Sequence, residues 1–196
     1  MIIIGDGYGF LSALIKEIFP NSLICLVDLG KILLFQAYYC EKAYPHSLHR
    51  LVSESSGTIS QPDLGFLYCP AEFLEKLDKY SFDVAINIAS MQEMNQSSIN
   101  TYFDFLRRYM PPDNLFYCCN RKEKEMPGGE ISKFFSYPWC NEDIHLVDEF
   151  CPWHNYFLSF SRAKNGPELF KIRIPFINYF DGPHMHRLTV LQTIPH

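Results

Sequence analysis

Short runs made mostly of apolar residues recur along the first 120 positions of the chain. They occupy residues 2–4, 23–27, 66–68, 82–88 and 115–119. A strand buried on both faces of a parallel sheet has this continuous apolar character, whereas a half-exposed strand alternates apolar and polar residues. The runs therefore predict five strands of a buried, parallel sheet.

Amphipathic segments separate these runs. Apolar residues recur at helical spacing over residues 11–19, 32–43, 70–77 and 96–109. A proline ends three of these patterns, at Pro20, Pro45 and Pro111, because proline cannot continue a helix. Strands that alternate with helices imply right-handed crossovers, so we expect an α/β fold with an open, doubly wound, Rossmann-like sheet.

The pattern changes after residue 120. Apolar runs appear at residues 144–150, 156–163 and 188–193, with no strong helical pattern between the last two. Strands that follow one another without a helix pair in the antiparallel direction. We therefore expect the mostly parallel sheet to end with antiparallel C-terminal strands. The polar stretch 53–63 is expected to be a surface loop.

The bulk composition limits the classes of function. A chain of 196 residues with 47% hydrophobic residues suits one well-packed domain. Its net charge of −5 argues against nucleic acid and membrane surfaces as partners, so a small molecule is the expected ligand. No apolar stretch approaches the roughly 20 residues of a membrane span, and the first residues do not resemble a signal peptide. We expect a cytoplasmic protein.

Cysteine and histidine spacing argues against a metal. The seven cysteines lie mostly inside apolar runs, as Cys25, Cys69, Cys118 and Cys119 do, and no two have C-x-x-C spacing. Buried free thiols in a reducing compartment are therefore favoured over disulfides or a zinc site. His184 and His186 form an H-x-H pair without a third ligand at fixed spacing, so we expect no metal.

The first apolar run ends in a glycine-rich loop. Residues 5–9 read Gly-Asp-Gly-Tyr-Gly, and a helical pattern follows at once. Such glycines permit a sharp turn and a close approach of the backbone to a ligand at a helix N-terminus. Asp28 ends the second run, 19 positions after Gly9. A carboxylate there can accept hydrogen bonds from both hydroxyls of a ribose.

Two cofactors are compatible with a glycine loop and a ribose-binding carboxylate. A dinucleotide fingerprint requires G-x-G-x-x-G or A, whose last small residue lets the helix pack on the strand. Here the loop is G-x-G-x-G, and Phe10 follows it. This spacing favours S-adenosyl-L-methionine over a dinucleotide, while a purely structural turn is the third alternative.

The sequence resembles the class I S-adenosylmethionine-dependent methyltransferases, and most closely the family of sugar O-methyltransferases. The matching segments are residues 4–9, 27–29, 36–39 and 82–94, together with Phe116, Tyr117 and Asn120. The glycine loop is common to all these enzymes, whereas Gln-Ala-Tyr-Tyr at 36–39 and Ser-Met-Gln-Glu-Met at 90–94 are more specific. The resemblance implies a seven-stranded sheet of the class I methyltransferase type.

The resemblance also implies a set of cofactor-binding residues, namely Gly5, Asp6, Gly7, Tyr8, Gly9, Asp28, Leu29, Ala89 and Ser90. The glycines would approach the methionine moiety, Asp28 would hold the ribose and Leu29 would flank the adenine. Ala89 and Ser90 would lie near the reactive methyl group. One departure is Ile3, where family members commonly carry an acidic residue. We expect residues 1–196 to form a single methyltransferase-like domain that lacks the N-terminal lid segment of the family.

Methyl transfer to a sugar requires a group that removes or orients the hydroxyl proton. Glu93 follows the fourth apolar run, at the expected carboxyl edge of the sheet, and is our first candidate; the alternative is a solvated carboxylate. His154 is the second candidate because imidazole titrates near neutral pH and the adjacent tryptophan could carry a sugar. Its alternative is a structural histidine in a turn.

The leading hypothesis is therefore an S-adenosyl-L-methionine-dependent O-methyltransferase for a hydroxyl of a sugar or a glycosylated small molecule. Ile3 and the expected lack of a lid segment favour a first alternative, a non-catalytic methyltransferase-like partner or scaffold protein. The second alternative is an NAD(P)-dependent oxidoreductase, against which Phe10 counts. A large exposed apolar patch where the lid would lie would indicate a homo-oligomer.

Overall fold

The computed structural model describes residues 1–54, 64–158, 168–169, 172–173 and 182–192. The first part contains β1 (Ile2–Ile4), α1 (Phe10–Ile18), β2 (Ile24–Asp28), α2 (Gly30–Ala43), β3 (Leu48–Leu51), β4 (Gly65–Pro70), β5 (Val84–Ile88) and α3 (Gln96–Tyr109). The second part contains β6 (Leu115–Arg121), β7 (Glu123–Glu125), β8 (Ile131–Lys133), β9 (Ile144–Phe150), α4 (Pro152–Leu158), β10 (Glu168–Leu169), β11 (Ile172–Arg173) and β12 (His184–Val190). Single 3₁₀ helices cover Ala71–Leu77, Met91–Glu93 and Phe134–Ser136.

The main sheet has eight strands in the order β3-β4-β2-β1-β5-β6-β12-β9. The strands from β3 to β6 are parallel, whereas β12 is antiparallel to both β6 and β9. The prediction of a doubly wound, mostly parallel sheet that ends with antiparallel C-terminal strands is confirmed. The chain winds outward from β1 through β2 and then returns to β5 on the other side of β1. Ligands of such sheets bind outside the carboxyl ends of the strands at this reversal.

Three element predictions need correction. The sheet has eight strands rather than seven, and the extra strand, β3, pairs with β4 at the edge of the sheet. Its Leu-His-Arg-Leu sequence is not continuously apolar because an edge strand is not enclosed on both sides. Residues 71–77 form a 3₁₀ helix instead of an α-helix. The expected strand at 156–163 is wrong over 156–158, which belong to α4, and residues 159–163 lie outside the described part of the chain.

Two apolar cores enclose the sheet. Side chains alternate between the two faces of a strand, so Ile2 and Ile4 enter the larger core while Ile3 enters the smaller one. The larger core contains the apolar face of α3, and the smaller one contains Ile15 of α1 and Leu33 of α2. Helices therefore cover both faces and leave the carboxyl edge of the strands open.

A buried ion pair fastens α3 to the segment before β9. Arg107 donates to both carboxylate oxygens of Asp143 at 2.7 Å, and the two side chains are 6% and 0% exposed. Arg107 also donates to the backbone oxygens of Pro138 and Gln192 at 2.8 Å each. Burial opposes the charge of Asp143, but the hydrogen bonds from Arg107 outweigh it and keep the pKa of Asp143 below its ordinary value.

The outer face of α1 and α2 is apolar and exposed. The side chains of Tyr8, Phe10, Leu14, Leu34, Phe35 and Tyr38 are all more than half exposed. The expectation of a homo-oligomer stays a prediction, because a face of this kind is compatible with several partners. Within the ranges given above, no helix combines the length and the apolar character needed to cross a bilayer. The expectation of a cytoplasmic protein stays a prediction.

Candidate functional site

A cleft of about 790 Å³ opens at the carboxyl ends of β1, β2 and β5. Its lining residues come from the glycine loop, from the ends of β2 and β5 and the turns that follow them, from the segment after β4, from α2 and α3, and from the segment after β7. They are Gly5, Asp6, Gly7, Val27, Asp28, Leu29, Ile32, Ala71, Ile88, Ala89, Ser90, Glu93, Met94, Asn95, Ser98, Tyr102 and Met126. The cleft thus lies at the reversal of the winding direction, where a ligand is expected.

Gly5 is required by the packing of the protein itself. Its φ of 74° lies in the left-handed region, which side chains other than glycine rarely adopt. A Cβ atom at this position would lie 2.2 Å from Oγ of Ser90 and 2.4 Å from its Cβ. The absence of a side chain therefore lets the end of β1 contact the turn that follows β5.

Gly7 differs from Gly5 because it faces open space. Its φ is 67°, and a Cβ atom built on it would meet no atom within 4 Å. Gly7 lines the cleft and is exposed. Of the loop glycines in the cleft, it is the one that leaves room for a ligand to approach the backbone.

Asp6 is engaged by the helix that follows the loop. Its carboxylate accepts hydrogen bonds from the backbone N–H groups of Leu11 at 3.1 Å and Ser12 at 2.8 Å. These N–H groups lack partners inside α1, so Asp6 satisfies the start of the helix. Burial raises the pKa of Asp6, although both hydrogen bonds favour its charged form. Its observed role is to hold the loop against α1.

Asp28 is held in place by α2 and by its own turn. One carboxylate oxygen accepts the backbone N–H of Leu29 at 2.8 Å, and the other accepts Nε2 of Gln36 at 2.7 Å. Nε2 of Gln36 also donates to the carbonyl oxygen of Gly7 at 3.1 Å. Burial raises the pKa of Asp28 above its ordinary value. Gln36 thereby joins the cleft-lining carboxylate of Asp28 to the glycine loop.

A buried amide network shapes the turn after β5. Nδ2 of Asn87 donates to the carbonyl oxygen of Ile4 at 2.9 Å, and Nδ2 of Asn120 donates to Oδ1 of Asn87 at 2.7 Å. Ser90 also donates to the carbonyl oxygen of Ile4, at 3.0 Å. Ala89 has a φ of 57°, unusual for a residue other than glycine. The network holds Ala89 and Ser90 at the floor of the cleft.

Gln92 and Glu93 have different surroundings although they are adjacent. Gln92 is 3% exposed, and its Oε1 accepts the backbone N–H of Arg121 at 2.7 Å, so it is a structural residue. The Glu93 side chain is 60% exposed, lines the cleft and forms an ion pair with Lys124. A carboxylate in this position can accept a proton from a ligand in the cleft.

His154, the second predicted catalytic residue, does not line the cleft. Its Nδ1 lies 3.5 Å from Sγ of Cys119 and 3.2 Å from Sγ of Cys151. Its ring stacks on that of His184 with centroids 4.6 Å apart. His186 instead contacts the Tyr117 hydroxyl, at 3.2 Å. The geometry therefore gives no support to a catalytic role of His154 in this cleft.

The structure brings most of the predicted cofactor residues together. Seven of the nine line the cleft, namely Gly5, Asp6, Gly7, Asp28, Leu29, Ala89 and Ser90. Tyr8 and Gly9 do not. Tyr8 is 63% exposed on the outer face, and the Cβ position of Gly9 lies 3.1 Å from Cα of Gln36, so Gly9 packs against α2.

Few of the remaining lining residues could be predicted from local sequence patterns. Ala71 could have been found, because it follows a predicted strand and therefore lies at the same edge of the sheet. Asn95 could be identified only as a helix start, and its side chain does cap α3 by accepting the N–H of Ser98 at 2.8 Å. Tyr102 and Met126 carried no local signal. They reach the cleft only through the packing of α3 and the path of the chain after β7.

The fold is that of class I methyltransferases, as solved structures with low sequence identity show. A protein assigned as a sarcosine dimethylglycine methyltransferase from Galdieria sulphuraria matches 96% of this chain and 76% of its own, with a TM-score of 0.59 and 12% identity. The arsenic(III) S-adenosylmethionine methyltransferase CrArsM from Chlamydomonas reinhardtii matches 99% of this chain and 63% of its own, with a TM-score of 0.52 and 11% identity. The mitomycin 7-O-methyltransferase MmcR matches 96% of this chain and 48% of its own, with a TM-score of 0.50 and 12% identity.

This chain thus spans about half the length of MmcR and less than two thirds of CrArsM. No family model matches the sequence, and no curated protein matches it either.

Proposed function

We propose that this protein is an S-adenosyl-L-methionine-dependent O-methyltransferase that acts on a hydroxyl of a sugar or a glycosylated small molecule. The charge of the cleft carries the proposal. Asp6, Asp28 and Glu93 line it, and none of its described lining residues is basic. The cofactor is a sulfonium cation without phosphate groups, whereas a dinucleotide brings an anionic pyrophosphate. An acidic cleft in a methyltransferase fold therefore favours S-adenosyl-L-methionine over NAD(P).

The lining residues differ in chemistry, and each group of them suits a different part of the cofactor. Beside Asp28, the side chains of Leu29, Ile32 and Ala71 offer an apolar surface for the adenine, and Asp28 can accept the ribose hydroxyls. Asp28 is paired in register with Pro70, which places Ala71 next to it. The glycine loop and the turn at Ala89 and Ser90, which also line the cleft, would hold the methionine moiety.

When bound, the cofactor supplies an electrophilic methyl group on sulfur. The task of the protein is to align an acceptor oxygen with that methyl group and to take up the proton of the hydroxyl. Glu93 lines the cleft three residues after Ser90, and we assign its exposed carboxylate the role of accepting this proton. Its ion pair with Lys124 orients the carboxylate.

Asp28→Asn is expected to weaken S-adenosyl-L-methionine binding by about 10- to 100-fold. The two ribose hydroxyls would then donate to a neutral amide instead of a charged carboxylate, and such hydrogen bonds are weaker. Calorimetric titration of the wild-type protein and the variant with the cofactor and with S-adenosylhomocysteine measures this. Asp83→Asn is the matched control, since Asp83 precedes β5 at the opposite edge of the sheet. Absence of binding to the folded wild-type protein at millimolar ligand, or tighter binding of NAD, would refute the cofactor assignment.

Glu93→Gln is expected to lower kcat by about 10²- to 10⁴-fold, because the amide cannot take up the hydroxyl proton. Affinity for S-adenosyl-L-methionine should stay within a factor of two or so of the wild-type value. Transfer of a labelled methyl group to a panel of sugar acceptors provides the assay. Glu123→Gln, an exposed carboxylate on β7, should leave the rate unchanged. An equal loss in both variants would exclude Glu93 as the base.

The exposed face of α1 and α2 keeps one alternative open, a methyltransferase-like protein that associates with a partner. Cofactor binding without product from any acceptor in the panel would favour that alternative, whereas a methylated product would exclude it. The hydrodynamic mass of the purified protein would test the homo-oligomer. The acceptor class and the cytoplasmic location rest on the sequence alone.

A further inference from the structure

Two thiols and an imidazole converge at a place that the cleft does not reach. Cys119 lies on β6, Cys151 immediately precedes α4, and His154 lies in the first turn of that helix. Their Sγ and Nδ1 atoms all lie within 4.8 Å of one another, and both cysteines are buried. None of the three lines the cleft. The proposed methyl transfer makes no use of this cluster.

The distances between the three ligand atoms are those expected around one shared metal ion. Nδ1 of His154 lies 3.5 Å from one sulfur and 3.2 Å from the other. A single ring nitrogen has one proton or one lone pair, so it can satisfy one of these contacts as a hydrogen bond but not both. A zinc ion about 2.3 Å from thiolate and about 2.0 Å from imidazole, at tetrahedral angles, holds sulfur and nitrogen about 3.5 Å apart.

We propose that Cys119, Cys151 and His154 bind a divalent metal ion of the zinc class. Two thiolates and an imidazole are ligands that zinc prefers over magnesium or calcium. The two thiolates balance the charge of a divalent ion, so the ion and its ligands together add no net charge to a buried place. The site is independent of the proposed methyltransferase function.

His184 provides a second indication of a ligand here. It is 3% exposed, and its ring stacks on that of His154. Among the described residues its Nδ1 has no hydrogen-bond partner. Leaving a buried polar atom unpaired is costly, so such an atom usually contacts a bound water molecule or another ligand. Because the rings of His154 and His184 lie nearly parallel, with 15° between their planes, His184 stands beside the three ligands and not among them, and the fourth coordination position is left to a water molecule.

The ligands belong to elements that are fastened together. The backbone N–H of Cys151 donates to the carbonyl oxygen of His184 at 2.8 Å, and the side chain of Asn155 exchanges two hydrogen bonds with the backbone of His184, at 3.3 and 3.1 Å. β12, which carries His184, is paired with β6, which carries Cys119. The start of α4 is thus fixed relative to Cys119, and a metal would bind with little rearrangement.

The prediction is one equivalent of tightly bound zinc per chain. The full chain, purified under reducing conditions and freed of metal with a chelator, is titrated with Zn²⁺ and, in parallel, with Co²⁺. Cobalt should give a thiolate charge-transfer band and the intense visible absorption of tetrahedral coordination. Saturation with zinc should raise Tm by about 5–10 °C, since the ion binds the folded state.

Cys151→Ser and His154→Ala should each weaken zinc binding at least about 100-fold and abolish the thermal shift. Cys140→Ser is the control, because Cys140 is a partly exposed thiol outside the cluster. The cobalt spectrum of the wild-type protein keeps the test valid if a variant fails to fold. Octahedral cobalt, less than a tenth of an equivalent of zinc, unchanged binding in both variants, or a mass two hydrogens lower that reveals a Cys119–Cys151 disulfide would each overturn the proposal.

Discussion

Arg107→Met should lower the free energy of unfolding by about 3–5 kcal/mol, because it leaves the carboxylate of Asp143 buried without its cation. The Asp143 side chain is 0% exposed, so water cannot replace the two lost hydrogen bonds. The segment before β9 would also lose its attachment to α3 through the carbonyl oxygen of Pro138. Urea unfolding at neutral pH measures the change.

Arg108→Met is the matched control. Arg108 is the next residue on the same helix, but it is 48% exposed and lies 3.6 Å from an exposed Glu75. An exposed pair of this kind contributes less than about 1 kcal/mol. Equal destabilisation by the two substitutions would show that the buried pair does not fasten α3.

The same pair determines the response of the protein to acid. Because the folded-state pKa of Asp143 is lower than the ordinary 3.8, its stabilising contribution is present above that value and is lost as the pH falls through the folded-state pKa. In Arg107→Met the buried carboxyl would have a raised pKa and would gain stability on protonation. The difference in unfolding free energy between wild type and variant should therefore begin to shrink as the pH falls from neutral towards about 4, and it should shrink further below that pH.

Gly5→Ala is the second substitution with a large expected effect, about 3–5 kcal/mol of destabilisation. Part of this is the left-handed backbone, which costs a residue with a Cβ about 1–2 kcal/mol. The rest is overpacking, because the new Cβ would lie 2.2 Å from Oγ of Ser90. Thermal and urea unfolding without ligand would measure the loss separately from any effect on binding.

Gly7→Ala separates the two contributions. Gly7 has a similar φ of 67° but nothing within 4 Å of its Cβ position, so only the backbone strain of about 1–2 kcal/mol is expected. Ser90→Gly in the Gly5→Ala background should recover much of the overpacking loss, because it removes both atoms that would clash. A loss as large in Gly7→Ala as in Gly5→Ala, or no recovery, would contradict this account.

Apolar residues at helical spacing predicted most of the helices, but they did not predict α4. α3 has the bounds that its apolar spacing indicated, 96–109. α4 was missed because the aromatic residues after 155 suggested a strand, whereas Pro152 at the first helical position starts a helix there. β3 was missed for the opposite reason. Its polar residues are tolerated because an edge strand has a neighbour on one side only.

The position of the cleft was predictable because it follows from strand order and from the loop after β1. The partners of the loop residues were not predictable, since they lie far away in sequence. Nothing near Gly5 indicates that Ser90 will occupy the space of its side chain, and nothing near Asp6 shows that its carboxylate will cap α1 as well as line the cleft. Local sequence patterns identify the loop, whereas tertiary packing determines which residues each loop position contacts.

The thiol and histidine cluster shows a second limit. No two cysteines have C-x-x-C spacing, but Cys151 and His154 have C-x-x-H spacing, which is visible in the sequence. Cys119, in contrast, is 32 residues away from Cys151 and joins them only because β6 and β12 are neighbours in the sheet. Ligands from separate elements leave no spacing rule to detect.

The hydrogen bonds of Gln36 have a kinetic consequence for any ligand that uses Asp28. Both donor contacts of its Nε2 are formed without a ligand, one to Asp28 and one to the carbonyl oxygen of Gly7. The carboxylate therefore needs no slow reorientation before it accepts a ligand, and association should proceed at the rate of encounter. A difference in affinity between the cofactor and its demethylated product would then come from their dissociation rates and not from their association rates.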